Sequence, residues 1–131
     1  MDPQDWDWSK PVFDHVHLRV ADLAASRAFY LRVLEPLGLP LMMDNARMAQ
    51  WPNFALSDDR EPTAGAHVAF VARSREQVIR FHEAGVLGGY RDNGAPGYRD
   101  YTPGWYAAYL LDPDGNNIEA VFRDSPDADG I

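Results

Sequence analysis

Cysteine is absent from this chain of 131 residues. Without thiols the chain has no disulfide framework, no thiolate metal site and no cysteine nucleophile. Disulfides are not required at this length, because a chain near the modal domain size can bury a sufficient apolar core as one compact unit. We therefore expect a single domain, and we expect it in the cytoplasm.

A basic excess and a long apolar run are also missing. The chain has 12 Lys and Arg against 20 Asp and Glu, and this net charge of -8 repels the phosphates of nucleic acids. No apolar run approaches the ~18 residues of a membrane span. The N-terminal residues are acidic and lack an apolar core, so they match neither a signal nor a transit peptide. The sequence predicts a soluble globular protein that binds neither nucleic acid nor membranes.

Two segments of the chain each combine a strand pattern with a helix pattern. "FDHVHLRV", Phe13 to Val20, alternates apolar and polar residues, and Asp22 is a typical N-cap for the helix that follows. "HVAFVA", His67 to Ala72, repeats the alternation, and Ser74 opens a second amphipathic helix with Gln77 at the capping-box position. Each segment predicts a strand followed by a helix with one apolar stripe to bury.

The two segments align without gaps at an offset of 52 residues, the difference between positions 67 and 15. This offset places His15 on His67 and the N-cap Asp22 on the N-cap Ser74. Residue identity between the segments is low, but strand phase, cap position and apolar helix positions agree, as an internal structural repeat requires. We predict two similar modules.

The repeat predicts the organisation of the chain: module one at about residues 12–57, a polar linker at about 58–66 and module two at about 67–123. The acidic ends, residues 1–10 and 124–131, are predicted to be mobile. Trp6 and Trp8 are an exception, because we expect them to pack on a sheet edge or on a neighbouring subunit.

The remainder of each module is predicted to be β-structure. "LPLMMD" and "QWPNFALS" read as strands after the first helix, and "WYAAYLLD" and "NNIEAVFR" as strands after the second. The turn "DPDG", Asp112 to Gly115, should join the last two strands as an antiparallel hairpin. Arg91 to Gly104 is rich in Gly and Pro, and we expect it to be the longest irregular stretch, a candidate lid or binding loop.

The polar strand faces carry the candidate chemistry. Glu119 alternates with apolar residues that should pack on a helix, and a buried carboxylate is costly unless it is paired, hydrogen-bonded or bound to a metal. His15 and His67 lie on equivalent strand faces, which pseudo-twofold symmetry would bring to one concave surface. Two imidazoles and one carboxylate suit a single Fe, Mn, Ni, Co or Zn ion. Taken singly, each residue is more often an ordinary surface or hydrogen-bonded group, so the repeat is what favours the metal site.

Further candidates surround this predicted site, each with an alternative. His17 lies roughly 7 Å along the strand from His15 and is a candidate general base or a polar cavity residue. Arg19 is a candidate for binding an anionic substrate group, or else forms a salt bridge. Aromatic residues around the long loop suggest a substrate pocket, of which Tyr101 and Tyr106 are the predicted contacts, or else belong to the core: Tyr98, Tyr101, Trp105, Tyr106 and Tyr109.

Three motifs together resemble a known family: "DHVHLRVADLAASRAFY" from Asp14, "HVAF" from His67 and "LDPDGNNIEAVF" from Leu111. They are similar to the vicinal oxygen chelate superfamily, which includes glyoxalase I, extradiol dioxygenases, fosfomycin resistance transferases and bleomycin-binding proteins. The resemblance implies an α+β fold of two tandem βαβββ modules in a half-open eight-stranded barrel. It also implies a divalent metal in the cleft, with His15, His67 and Glu119 at the ligand positions.

The resemblance implies a metal-dependent small-molecule enzyme (a lyase or isomerase, a dioxygenase or a transferase) and a homodimer. In that interpretation Glu119 and His17 are the catalytic candidates. The alternative is a non-catalytic drug-binding protein of the bleomycin resistance type that uses the same cleft. One departure from the family pattern weakens a glyoxalase I reaction: around Phe54 or Leu56, where glyoxalase I adds a carboxylate ligand, this chain offers only apolar residues.

Overall fold

The computed structural model describes residues 1–124 and contains two sheets and two α-helices. The helices are α1 (Leu23–Leu34) and α2 (Arg75–Leu87), and short 3-10 helices lie at Pro3–Asp5 and Glu35–Leu37. The strands are β1 (Val16–Arg19), β2 (Met43–Asp44), β3 (Met48–Trp51), β4 (Phe54–Ser57), β5 (His67–Val71), β6 (Arg91–Tyr98), β7 (Trp105–Leu111) and β8 (Asn117–Arg123). Within the described residues no helix is long and apolar enough to cross a bilayer. The predicted mobile tail beyond Asp124 lies outside this range.

The two sheets have the same topology. Their strand orders are β1-β4-β3-β2 and β5-β8-β7-β6. In each sheet the strand before the helix pairs in parallel with the last strand of the module, and the other pairings are antiparallel. This confirms the predicted α+β fold of two βαβββ modules. Over residues 1–124 the two four-stranded sheets share no strand pairing, so these residues form no closed barrel.

Side-chain caps begin both helices at equivalent positions. The Asp22 carboxylate accepts a hydrogen bond from the N–H of Ala25 at 3.1 Å, and the Ser74 hydroxyl accepts one from the N–H of Gln77 at 3.1 Å. The Gln77 side chain reaches back to the N–H of Arg73 at 2.8 Å. Each cap satisfies a backbone donor that the first helical turn leaves unpaired, and both lie where the 52-residue repeat predicts.

The segment "QWPNFALS" is two strands rather than the single strand predicted. Pro52 and Asn53 form the turn of a hairpin, and Asn53 adopts a positive φ of 60°. Trp51 then pairs with Phe54 across the antiparallel β3 and β4. Proline lacks the N–H that a ladder needs, and Asn tolerates the left-handed region, so this dipeptide breaks the run.

The Gly- and Pro-rich segment is more regular than predicted. Arg91 to Tyr98 forms the edge strand β6, and the loop is confined to residues 99–104. The register against β7 shifts on both sides of Gly94, which has a φ of 154°. An edge strand tolerates a proline and irregular glycines because one of its sides has no ladder to maintain. The composition therefore marks bulges here, not an unstructured loop.

One hydrophobic core spans both modules. The apolar stripe of α1 is fully buried in it together with residues from both sheets and α2. Phe54 of β4 packs edge-on against Phe70 of β5, with ring centroids 5.0 Å apart. The helix-facing sides of both sheets are thus buried in the core. A functional site can form only on their other faces.

A buried carboxylate joins the modules. Asp112, 4% exposed, accepts a hydrogen bond from the Tyr30 hydroxyl of α1 at 2.6 Å. It also accepts the N–H groups of Asp114 and Asn116, each at 2.9 Å. Burial, with the charge of Asp112, raises the pKa of Tyr30, so its hydroxyl stays a donor. The "DPDG" turn is therefore held from inside the core.

Tyr30→Phe should lower the free energy of unfolding by about 1–3 kcal/mol, because it removes a donor from a buried carboxylate and creates no large cavity. Urea denaturation measures the change. Tyr90→Phe is the matched control, since Tyr90 contributes its ring to a contact with Phe29. Equal stability of the two variants would show that the hydroxyl bond to Asp112 contributes nothing.

Candidate metal centre

A buried carboxylate, Glu119, and an exposed imidazole, His67, form a pair on the open face of the second sheet. Glu119 lies in β8, between Ala69 of β5 and Tyr109 of β7, and is 1% exposed. Its Oε1 is 2.7 Å from Nε2 of His67, and its Oε2 accepts a hydrogen bond from Nε1–H of Trp105 at 3.1 Å. Both carboxylate oxygens therefore have a donor.

These two contacts explain how a strand of apolar residues accommodates a carboxylate. Burial without partners costs several kcal/mol, whereas each hydrogen bond to a charged group returns roughly 1.5–3 kcal/mol. The side chain of His67 is 54% exposed, so the pair is reached from solvent on the imidazole side. The arrangement is a carboxylate bonded directly to an imidazole that is open to solvent.

Three aromatic side chains lie beside the pair and form an aromatic wall: Trp105, Tyr109 and Tyr101. Trp105 packs against a small apolar cluster of Ala107, Tyr109 and Val121. The rings of Tyr109 and His67 are 6.2 Å apart, and Tyr101 stands edge-on to Trp105 at 5.5 Å and is 67% exposed. Burial raises the pKa of Tyr109, as do a hydrogen bond with Tyr101 and the charge of Glu119, so its phenol remains protonated. The wall supplies stacking surface and one fixed hydroxyl donor.

His15 does not join His67 and Glu119 within the chain. Among the described residues no three His, Asp or Glu side chains come together as a metal site. His15 precedes β1, its side chain is 65% exposed, and its Nδ1 is 2.7 Å from Oδ1 of Asp14. A carboxylate only accepts, so Nδ1 carries the hydrogen, and in the neutral imidazole the lone pair is then on Nε2. Metal-binding histidines are commonly held this way.

The donor set therefore fits a metal in part. His67 and Glu119 supply two of the three predicted ligands from one chain, and His15 has the tautomer of a ligand but lies elsewhere. The predicted ligand set stays a prediction that depends on how His15 reaches the pair.

His17 and Arg19 lie in a hydrogen-bond network of the first sheet. His17 Nε2 is 2.7 Å from the Ser57 hydroxyl, which in turn donates to Asp59 at 2.7 Å. Arg19 Nε donates to the same Asp59 oxygen at 3.1 Å. Burial, then the charge of Arg19, lowers the pKa of His17, which favours the neutral imidazole that a base requires. Of the two interpretations of Arg19, the structure shows the salt bridge.

Tyr106 lies on the opposite face from Glu119. It packs against the shared core and stands edge-on to Tyr98 at 5.0 Å. Consecutive strand residues point to opposite faces, so Trp105 faces the site and Tyr106 cannot. On this sheet Tyr106 therefore faces the core and not Glu119, and its role as a substrate contact stays a prediction. The sequence could have predicted this placement. The "DPDG" hairpin sets Tyr109 opposite Glu119, and this register determines which residues of β7 share the face of Glu119.

The counterpart of Glu119 in the first module is Ala55. Glu119 pairs with Ala69, and Ala55 pairs with His17, which is the repeat equivalent of Ala69. Phe54 and Leu56, near which the sequence placed the missing ligand, point into the core instead. Since Ala55 offers only a methyl group, the first module has no carboxylate at this position.

The paired βαβββ modules with an open, Glu-His-bearing face define the vicinal oxygen chelate class. Residues 12–120 match the model of the Glyoxalase/Bleomycin resistance protein/Dioxygenase superfamily, and the chain belongs to that family. The predicted resemblance is thereby confirmed.

Solved structures agree with this assignment. A glyoxalase/bleomycin resistance protein from Albidiferax ferrireducens T118 is 35% identical, with a TM-score of 0.75 over 86% of this chain and 99% of that one. Lactoylglutathione lyase from Agrobacterium tumefaciens is 20% identical, with a TM-score of 0.66 over 86% of this chain and 94% of that one. The fosfomycin resistance protein FosX from Listeria monocytogenes is 17% identical, with a TM-score of 0.64 over 86% and 93%. The last two show the shared fold alone. No curated protein sequence matches this chain.

Trp105→Phe should destabilise the protein by about 1–3 kcal/mol, because a buried carboxylate oxygen loses its donor while most of the ring packing is kept. Trp6→Phe is the control, since Trp6 is 38% exposed and a surface substitution should change little. Urea denaturation of both variants measures the difference. If the two substitutions cost the same, the indole N–H does not hold Glu119.

Proposed function

We propose that the protein is a divalent-metal-dependent enzyme acting on a small molecule, with the metal held by His67, Glu119 and His15. The supporting observation is the buried Glu119, whose Oε1 lies 2.7 Å from a half-exposed imidazole nitrogen. The superfamily to which the chain belongs is generally metal-dependent. A divalent cation at this position is attracted by the carboxylate and by the lone pair of His67 once Nε2 is deprotonated.

In this proposal His15 comes from a second copy of the chain, in a homodimer. Three observations support an interface here. His15 is exposed with Nε2 free to bind, and no third ligand joins the pair among residues 1–124. Exposed apolar residues accompany both halves of the site, namely Phe13 beside His15 and Val71 on the His67 face of β5, each 77% exposed. A twofold axis would pair each half with its complement and make two sites.

When bound, the metal would polarise a substrate oxygen as a Lewis acid. Trp105 restrains Oε2 of Glu119, which leaves Oε1 toward the open side, and Tyr109 offers a protonated hydroxyl to a bound oxygen. Because Ala55 offers no carboxylate base in the first module, proton transfer falls to Glu119 or to His17. This favours oxygenation or group transfer over a glyoxalase I isomerisation.

A drug-binding protein without catalysis is the second candidate. The aromatic wall of Trp105, Tyr109 and Tyr101 supports it, because such a wall stacks on planar ligands whether or not a metal is present. Metal stoichiometry separates the two functions. A purified protein that binds no Mn(II), Fe(II), Ni(II) or Zn(II) would be the binding protein.

Glu119→Gln should abolish metal binding and retain the fold, because the amide fills the same space but cannot act as an anionic ligand. We expect about one Mn(II) or Ni(II) per wild-type chain, with a higher thermal midpoint in the presence of metal. Glu76→Gln is the matched control, since Glu76 lies on α2 in an exposed pair with Arg80. Metal affinity retained in Glu119→Gln would sink the ligand assignment.

Complementation tests the shared site. His15→Ala and Glu119→Gln should each bind no metal as pure dimers. When the two variants are denatured together and refolded, random pairing should restore about one site in four, because each mixed dimer contains one intact half of each kind. Metal content of the refolded mixture measures the result. A mixture as metal-free as its parents would show that the two residues do not serve one site between copies.

A further inference from the structure

A second polar group lies on the open face beyond the Glu119 pair. Arg123 ends β8 on the same face as Glu119 and is paired in register with Trp105. Its guanidinium carbon lies 4.5 Å from the ring centroid of Trp105 and 3.8 Å from that of Trp8. The guanidinium thus lies over both indole rings. The N-terminal segment presents Trp8 in a turn closed by the bond from Trp8 Nε1 to the carbonyl of Pro3, at 3.1 Å.

The contacts with the two indoles leave the donors of Arg123 unused. A guanidinium stacks through its faces, whereas its five N–H groups lie in the plane. Over residues 1–124 no hydrogen bond or ion pair of this guanidinium is observed. Arg19 and Arg27, by contrast, are paired with Asp59 and Asp44.

The position of Arg123 connects it to the candidate metal centre. One indole, that of Trp105, donates its N–H to Glu119 and carries the guanidinium on its ring face. Burial lowers the pKa of Arg123 while the charge of Glu119 raises it, so the guanidinium is partly desolvated and senses the site carboxylate. Arg99 adds a second positive charge, with its guanidinium carbon 5.2 Å from the ring centroid of Tyr109. Two arginines thus lie against the aromatic side chains beside Glu119.

We propose that Arg123, held by Trp8 and Trp105, binds the oxyanion of the ligand that enters this cleft, a carboxylate or a phosphate-type group. A fixed planar guanidinium with free in-plane donors matches such a group in bidentate fashion. The proposal rests on the proposed function for the ligand's other end, which would reach the metal. It narrows the substrate class to small anions with an oxyanion at one end.

Anion titration of the full-length protein tests this. Wild type, Arg123→Gln and the control Arg80→Gln are titrated with inorganic phosphate and separately with acetate, at constant ionic strength. The Nε–Hε resonance of Arg123 is followed by NMR and the affinity by calorimetry. Wild type should show a saturable shift, Arg123→Gln should bind at least about tenfold more weakly, and Arg80→Gln should match wild type, because Arg80 is on the exposed face of α2. A response to one anion or to both supports the proposal and identifies the charged group.

Two results would overturn it: no saturable shift with either anion, or binding that persists in Arg123→Gln. Trp8→Ala addresses the purely structural alternative, in which Arg123 only anchors the N-terminal segment. Under the proposal Trp8→Ala weakens anion binding with Arg123 intact, since the guanidinium loses one of its two restraints. Under the alternative it lowers only the thermal midpoint.

A parallel Mn(II) titration keeps this inference separate from the proposed function. Wild type that binds Mn(II) but neither anion would defeat the inference alone. Wild type that binds an anion through Arg123 but no Mn(II) would defeat the proposed function and leave the oxyanion site standing.

Discussion

The structure is organised around a carboxylate that cannot be buried alone. Glu119 lies in the middle of the second sheet, and its two donors, His67 and Trp105, come from the neighbouring strands on either side. The two hydrogen bonds to Glu119 and the packing around them restrict which residues β8 and its neighbouring strands can carry. The alternation of β8 sends Ile118 and Ala120 into the core, and Ala107 and Val121 form the floor on which the indole of Trp105 packs. The same face then continues to Arg123, so this face has a carboxylate and a guanidinium that both contact one indole, that of Trp105.

A second constraint determines where the site can be completed. The two modules share one core through their helices and through the Tyr30–Asp112 bond, which commits the helix-facing sides of both sheets to the interior. The polar faces, which carry His15 and His17 in one module and His67 and Glu119 in the other, do not bring three ligands together within residues 1–124. Under the proposed function each chain contributes two half-sites, and a second copy supplies the missing half.

Much of this could be predicted from the sequence because it depends on local rules. The equivalent N-caps, Asp22 and Ser74, support the internal repeat. The alternation of residues along the strand predicts which face of the sheet carries Glu119. What could not be predicted depends on how strands pair. The split of "QWPNFALS" into β3 and β4 required weighting Pro52-Asn53 as a turn, and the identity of Ala55 as the counterpart of Glu119 needed the register of β4 against β1.

Other features depend on side chains that meet across long sequence distances. The contact of Arg123 with Trp8 joins residues near the two ends of the described chain, and nothing in the local pattern of either end indicates it. Tyr106 is the opposite case. The alternation of side chains along β7 is enough to place it on the face opposite Glu119. The relation of His15 to His67 lies between these cases, since the repeat makes them equivalent but equivalence does not say whether one chain or two unite them.

The measurement that tests the account most directly is an anomalous diffraction map of crystals grown with Mn(II). The account predicts one strong peak per chain, bonded to Nε2 of His67, to a carboxylate oxygen of Glu119 and to Nε2 of His15 from a second copy. A metal bound elsewhere, or none at the His67–Glu119 pair at saturating Mn(II), would contradict it.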